Sequence, residues 1–133
     1  PDYAKLTCDT RYTDYALLEE FLPKLQAIAA KQYVPDTKTV LKTATEFQSM
    51  DEVPGTAALL KLVQEAAAEC NLPQPTAKAV GGGSDSAYAT AAGVPTICAL
   101  GVQGARNHTA EEFAVVDTLF SRCKLFATIM LNI

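Results

Sequence analysis

Three successive glycines inside a run of polar residues, Gly81-Gly82-Gly83-Ser84-Asp85-Ser86, constrain this chain more than any other stretch. Strand-like residues 76–80 precede the turn. Small helix formers follow it (Ala87, Ala89, Ala91, Ala92), and Gly93 reads as the helix stop. The predicted unit is strand, tight turn, helix, a geometry that points backbone N–H groups at whatever sits above the end of the strand. The only histidine, His108, follows 22 residues after Ser86. An imidazole returning near that edge turns the glycine bend from punctuation into a candidate site.

Composition narrows the class of protein. With 49% hydrophobic and 20% charged residues in 133, the chain is globular and has enough apolar material for a sizeable core, or for pieces of two. The net charge of −4, with lysines and arginines scattered, leaves no footprint for nucleic acid or an anionic membrane, so neither is expected as a partner. Cys8, Cys70, Cys98 and Cys123 form no close pair, and they read as reduced, mostly core thiols rather than a disulfide framework or a zinc cluster. The longest apolar stretch, residues 125–131, is too short to span a bilayer. The chain starts Pro1-Asp2 without methionine, so a targeting segment has room to precede it; the expected location is cytoplasmic.

Along the chain, residues 3–12 alternate as a half-buried strand does, with Leu6, Cys8, Thr10 and Tyr12 on one face. Thr13 or Asp14 is placed to cap a helix carrying Leu17, Leu18, Phe21, Leu22, Leu25 and Ile28, and Pro23 predicts a kink or break near Phe21 and Leu22. A Thr- and Val-rich strand is expected over 37–47. The polar connector 48–54 is the boundary candidate. Beyond it come a helix over 56–70 ended by Leu72-Pro73, the glycine unit, an apolar strand over 95–100, a loop to His108 and a terminal helix from near Asp117. The second part thus reads as α/β with parallel strands. Each part supplies too few strands to complete a sheet, so each looks like the end of something larger.

The order of Asp9-Thr10-Arg11-Tyr12, Val53-Pro54-Gly55, Gly81-Gly82-Gly83-Ser84-Asp85, Gly93-Val94-Pro95-Thr96 and Asn107-His108-Thr109 with Glu112-Phe113 resembles the C-terminal portion of the dizinc exopeptidase and amidohydrolase family. Carboxypeptidase G-like enzymes, aminoacylases, acetylornithine deacetylase and succinyl-diaminopimelate desuccinylase belong to it. The resemblance implies an α/β fold made of two incomplete units. Residues 1–52 would be the second half of a ferredoxin-like α+β lid and dimerisation domain, and 53–133 the last part of a phosphorylase/hydrolase-like zinc-peptidase catalytic domain. It further implies cleavage of an amide or peptide bond beside a free carboxylate, with N-acyl amino acids or small peptides as substrates and a homodimeric parent. By the same resemblance His108 is a zinc ligand, Arg11 holds the substrate carboxylate, and Gly82, Gly83 and Ser84 form a substrate-contacting loop. The first His-x-Asp element and the adjacent Glu-Glu pair of that family would lie upstream. The 133 residues therefore read as an inactive fragment that retains zinc poorly.

Each of these residues has a plainer reading. His108 as a lone histidine suits an ordinary loop position, and Arg11 suits a surface ion pair with Asp9 or Asp14. Gly82 and Gly83 satisfy a turn, and Ser84 satisfies a helix cap, roles that coexist with substrate contact. A serine nucleophile is disfavoured because Ser84 lacks a glycine two positions on, and the dinucleotide fingerprint fails at Ser86-Ala87-Tyr88. Glu111 and Glu112 read as solvated or loop-positioning, while Tyr88, Phe113 and Phe120 fit packing. The rival class is a non-catalytic dimerisation or small-anion-binding module.

Overall fold

The computed structural model describes residues 2–133 as four helices and one short hairpin. Helix α1 runs Tyr15–Ala30, α2 Thr56–Glu69, α3 Ser86–Ala91 and α4 Val116–Leu131; strands β1 (Gly104–Ala105) and β2 (Phe113–Ala114) pair antiparallel. The helices lie where apolar spacing and caps place them. Asp14 caps α1, its carboxylate accepting from the Ala16 N–H at 2.8 Å. Gly55, at φ 100°, starts α2 in the left-handed region, and a Cβ there would meet Pro95 Cγ at 2.8 Å, so only glycine fits. Asn71, at φ 58°, turns the chain out of α2 before Pro73, and Leu72 N–H returns to the Ala67 carbonyl at 2.8 Å. Gly93, at φ 81°, stops α3 as expected from its position.

Two expectations change. Of the kink or break expected near Phe21 and Leu22, the break does not occur, and helix α1 runs on through Pro23. Proline removes one N–H bond and crowds the carbonyl four residues back, and the helix takes this at a turn where Glu19 and Pro23 are both exposed. The segments 3–12, 37–47, 76–80 and 95–100, expected as strands, form no ladders, Ala99 even taking a left-handed φ of 63°, and among the described residues the sheet has two antiparallel strands rather than several parallel ones. Alternation and β-branching give a segment the means to pair, but a ladder needs a second edge at 4.7–4.9 Å. Mixed helix and a small sheet is the architecture that results.

The core forms where α2 crosses α4. Val63, Ala66 and Ala67 of α2 meet Leu125 and Ile129 of α4, and Leu62, Leu72, Ile97 and Leu100 pack around them. Alanines at the crossing let the two backbones approach closely, which is why Leu125 is wholly buried. Cys70 Sγ and Thr128 Oγ1, 3.2 Å apart, bind the same pair of helices, as does Asn132 Nδ2 donating to Glu69 at 3.4 Å. Composition suggested ample burial, yet only eight apolar residues are fully enclosed among the described residues, and Tyr88, Phe113 and Phe120, expected to pack, stay exposed. The thiols depart from expectation too. Cys70 is buried, whereas Cys8, Cys98 and Cys123 are exposed.

Removing side-chain atoms from the crossing leaves a void that the helices cannot close. Leu125→Ala should therefore lower unfolding free energy in urea by about 2–5 kcal/mol, while Phe120→Ala, 73% exposed, should stay within about 0.5 kcal/mol of the parent. Equal losses from the two substitutions would show that α2 and α4 do not form the core.

Candidate functional site

The N-terminal extended segment meets the glycine turn through Arg11. Its Nη1 donates to the Gly81 carbonyl at 3.0 Å, and its Nε and Nη2 donate to Asp9 Oδ2 at 3.4 and 3.1 Å. Sequence reading offered carboxylate capture and an ion pair with Asp9 or Asp14 as alternatives. The ion pair forms with Asp9, while Asp14 is occupied capping α1. The Asp9 pair is solvent-exposed, so it contributes roughly 0–1 kcal/mol and mainly orients the guanidinium.

Neighbouring contacts hold this junction. Tyr12 donates its phenol O–H to the Phe47 carbonyl, Tyr15 O–H donates to Glu46 at 3.0 Å, and Tyr15 N–H donates to Asp51 Oδ2 at 3.4 Å. Residues 46–51 thus lie across the start of α1, with the Asp51 carboxylate at the positive end of the helix. The Phe47 ring also sits where a Cβ on Gly83 would come within 3.4 Å of it. Partial burial, with Glu46 close by, pushes the Tyr12 phenol above its ordinary value and keeps it a donor.

Expected as the cap of α3, Ser84 instead stands one residue before its N-cap, Asp85, and braces the first helical residue. Its Oγ accepts from the Ser86 N–H at 3.2 Å, supporting the start of α3. The same oxygen lies 3.1 Å from Cys98 Sγ. Hydrogen bonds from Ser84 and then Ser86 favour the thiolate and hold Cys98 below the ordinary thiol range, outweighing desolvation. Cys98 was read as a core thiol from its apolar neighbours. Its place beside Ser84 depends on how segment 95–100 returns past the turn, which local pattern does not encode.

His108 lies at the tip of the hairpin loop joining β1 to β2, exposed, at φ 65°. Thr109 builds this loop: its N–H and its hydroxyl both donate to the Arg106 carbonyl, at 3.2 and 2.7 Å, and its Oγ1 accepts from Glu111 N–H at 3.2 Å. Arg106 pairs with Glu111 across the loop, giving that carboxylate the loop-positioning role read for it. Among the described residues, no three His, Cys, Asp or Glu side chains gather as a metal site. Zinc takes three or four protein ligands, so these residues alone do not fit a complete zinc centre. The structure joins Arg11 to the turn at Gly81 and Ser84 to Cys98; it shows no contact between His108 and either.

The model of peptidase family M20/M25/M40 matches residues 16–132, and the chain belongs to that family. Its members are metal-dependent hydrolases as a class, and the match takes in the glycine turn and His108 but stops short of Arg11. No curated protein and no solved structure matches the chain. No helix among the described residues is long and apolar enough to cross a membrane.

The Ser84–Cys98 contact makes a direct prediction. Alkylation of Cys98 by iodoacetamide should show a pH midpoint below the ordinary thiol value of about 8.5, and Ser84→Ala should move that midpoint upward. An unchanged midpoint in the variant would remove Ser84 as the cause.

Proposed function

We propose that this chain is the C-terminal part of a zinc-dependent exopeptidase or N-acyl amino acid amidohydrolase, one that cleaves an amide or peptide bond beside a free carboxylate. The family match over residues 16–132 carries this reading. Residues 1–52 would serve as the second half of a lid that pairs two copies of the parent, and 53–133 as the end of the catalytic domain. Extended segments without ladder partners in both parts support an origin in a larger sheet.

Within that reading each residue has a defined task. His108 contributes one neutral imidazole nitrogen to a zinc site whose other ligands lie on other chain, and its exposed, left-handed position at a loop tip suits a residue held out for a partner. Arg11 captures the substrate carboxylate through its fork of N–H donors, and its bond to the Gly81 carbonyl sets that fork against the glycine turn. Gly82 and Gly83 allow substrate to approach the backbone, since a Cβ on Gly82 would meet only open space and one on Gly83 would lie in contact with the Phe47 ring. Ser84 fixes the start of α3 beside them. The unpaired extended segment 37–47 favours a second reading, a dimerisation module without catalysis.

Hydrolysis separates the readings. The 133-residue chain with added zinc should release no measurable product from N-acyl amino acids or dipeptides, and clear turnover would contradict its being part of a shared site. In the full-length parent, Arg11→Gln should lower kcat/KM for carboxylate-bearing substrates by roughly 10–100-fold, the loss of a charge-assisted bond, mainly through KM. A parent without hydrolase activity would leave the non-catalytic module.

A further inference from the structure

An open cavity of about 340 Å³ lies between residues 10–13 and the first turns of α1. Arg11 is the one charged residue lining it, and the helix side presents Leu17, Leu18 and Phe21. These three fall at i, i+1 and i+4, which places them on one face of α1. Its volume is at the small end of ligand sites, which run to roughly 300–1,000 Å³, so it suits a single amino-acid side chain rather than an extended peptide.

The Arg11 donors decide what the charged end takes. A guanidinium has five N–H groups; Asp9 occupies two and the Gly81 carbonyl one, so two remain. Two N–H groups match the two oxygens of one carboxylate. In an α-amino acid the carboxylate and the side chain leave the same carbon, so their binding sites must adjoin. Arg11 and the Leu17, Leu18, Phe21 wall meet that requirement by lining one cavity.

We propose that this cavity is a side-chain subsite that makes the chain selective for a free-carboxylate substrate residue bearing a branched aliphatic or aromatic side chain. Leu17 and Phe21 are the specificity-determining residues, and Leu18, 6% exposed, forms the floor. The proposal rests on the reading of Arg11 as a carboxylate clamp and adds what the clamp's neighbours select. Polar or acidic side chains would leave their hydration unmatched against this wall.

Binding to the 133-residue chain tests it without catalysis. N-acetyl-L-leucine, titrated against the ¹³C-methyl signals of Leu17 and Leu18 and the ring signals of Phe21, should shift those signals and bind at least about tenfold more tightly than N-acetylglycine. N-acetyl-L-leucinamide, which has no carboxylate, should leave them unmoved. Leu17→Asp, at an exposed position, should bring N-acetyl-L-leucine down to the affinity of N-acetylglycine, and Arg11→Gln should weaken both ligands. Equal affinity for the two acids, with both still weakened by Arg11→Gln, would overturn the apolar subsite and leave the clamp standing. Indifference of both to Arg11→Gln would overturn the clamp as well, and no shift with any ligand would exclude the cavity as a binding site.

Discussion

The apolar crossing of α2 and α4 is the interaction on which the remaining structure depends. Val63, Ala66, Ala67, Leu125 and Ile129 exclude water there, and Leu72, Ile97 and Leu100 attach the chain leaving α2 and the segment after α3 to the same nucleus. Through Ile97 that nucleus fixes Cys98, through Cys98 it meets Ser84, and through the turn it reaches Arg11. The candidate site is thus tied to the core by single contacts. Helix α4 also carries a second apolar face, on which Val116, Leu119, Phe120, Phe126 and Met130 recur at helical spacing and remain exposed. A helix apolar on two faces has an apolar surface left over for a further layer.

How much of this was legible in the sequence depends on the range of the interaction. Helices α2, α3 and α4 were readable because apolar period, cap and stop are local, and Gly93 is the simplest case, a stop required by a positive φ. Pro23 misled because proline is costly within a helix only where the lost bond cannot be replaced, and exposure at that turn was not visible in the pattern. The strands misled differently. Alternation in 3–12 and apolar runs in 95–100 report compatibility with a sheet, whereas a sheet is a relation between two segments. Arg11 and Gly81 lie 70 positions apart, and no local signal foretells their bond. Cys98 shows the same limit, since its apolar neighbours suggested burial while the fold left it beside a serine.

Function follows a comparable division. The candidate residues are each placed by their own local structure: a segment outside any ladder for Arg11, the approach to α3 for Ser84, a Thr109-braced loop for His108. The family match takes in the glycine turn and His108 and leaves Arg11 outside it. In the proposed reading, hydrolysis would bring them together with further ligands from the rest of the parent.

Amide hydrogen exchange of the 133-residue chain, read residue by residue, tests this account most directly. Amides of α2 and α4 at the crossing should exchange slowest, while those of 37–47, 76–80 and 95–100 should exchange close to the rate of an unstructured chain. Protection of these extended segments equal to that of α2 would show that the chain completes its own sheet, and the view of it as part of a shared fold and a shared active site would be wrong.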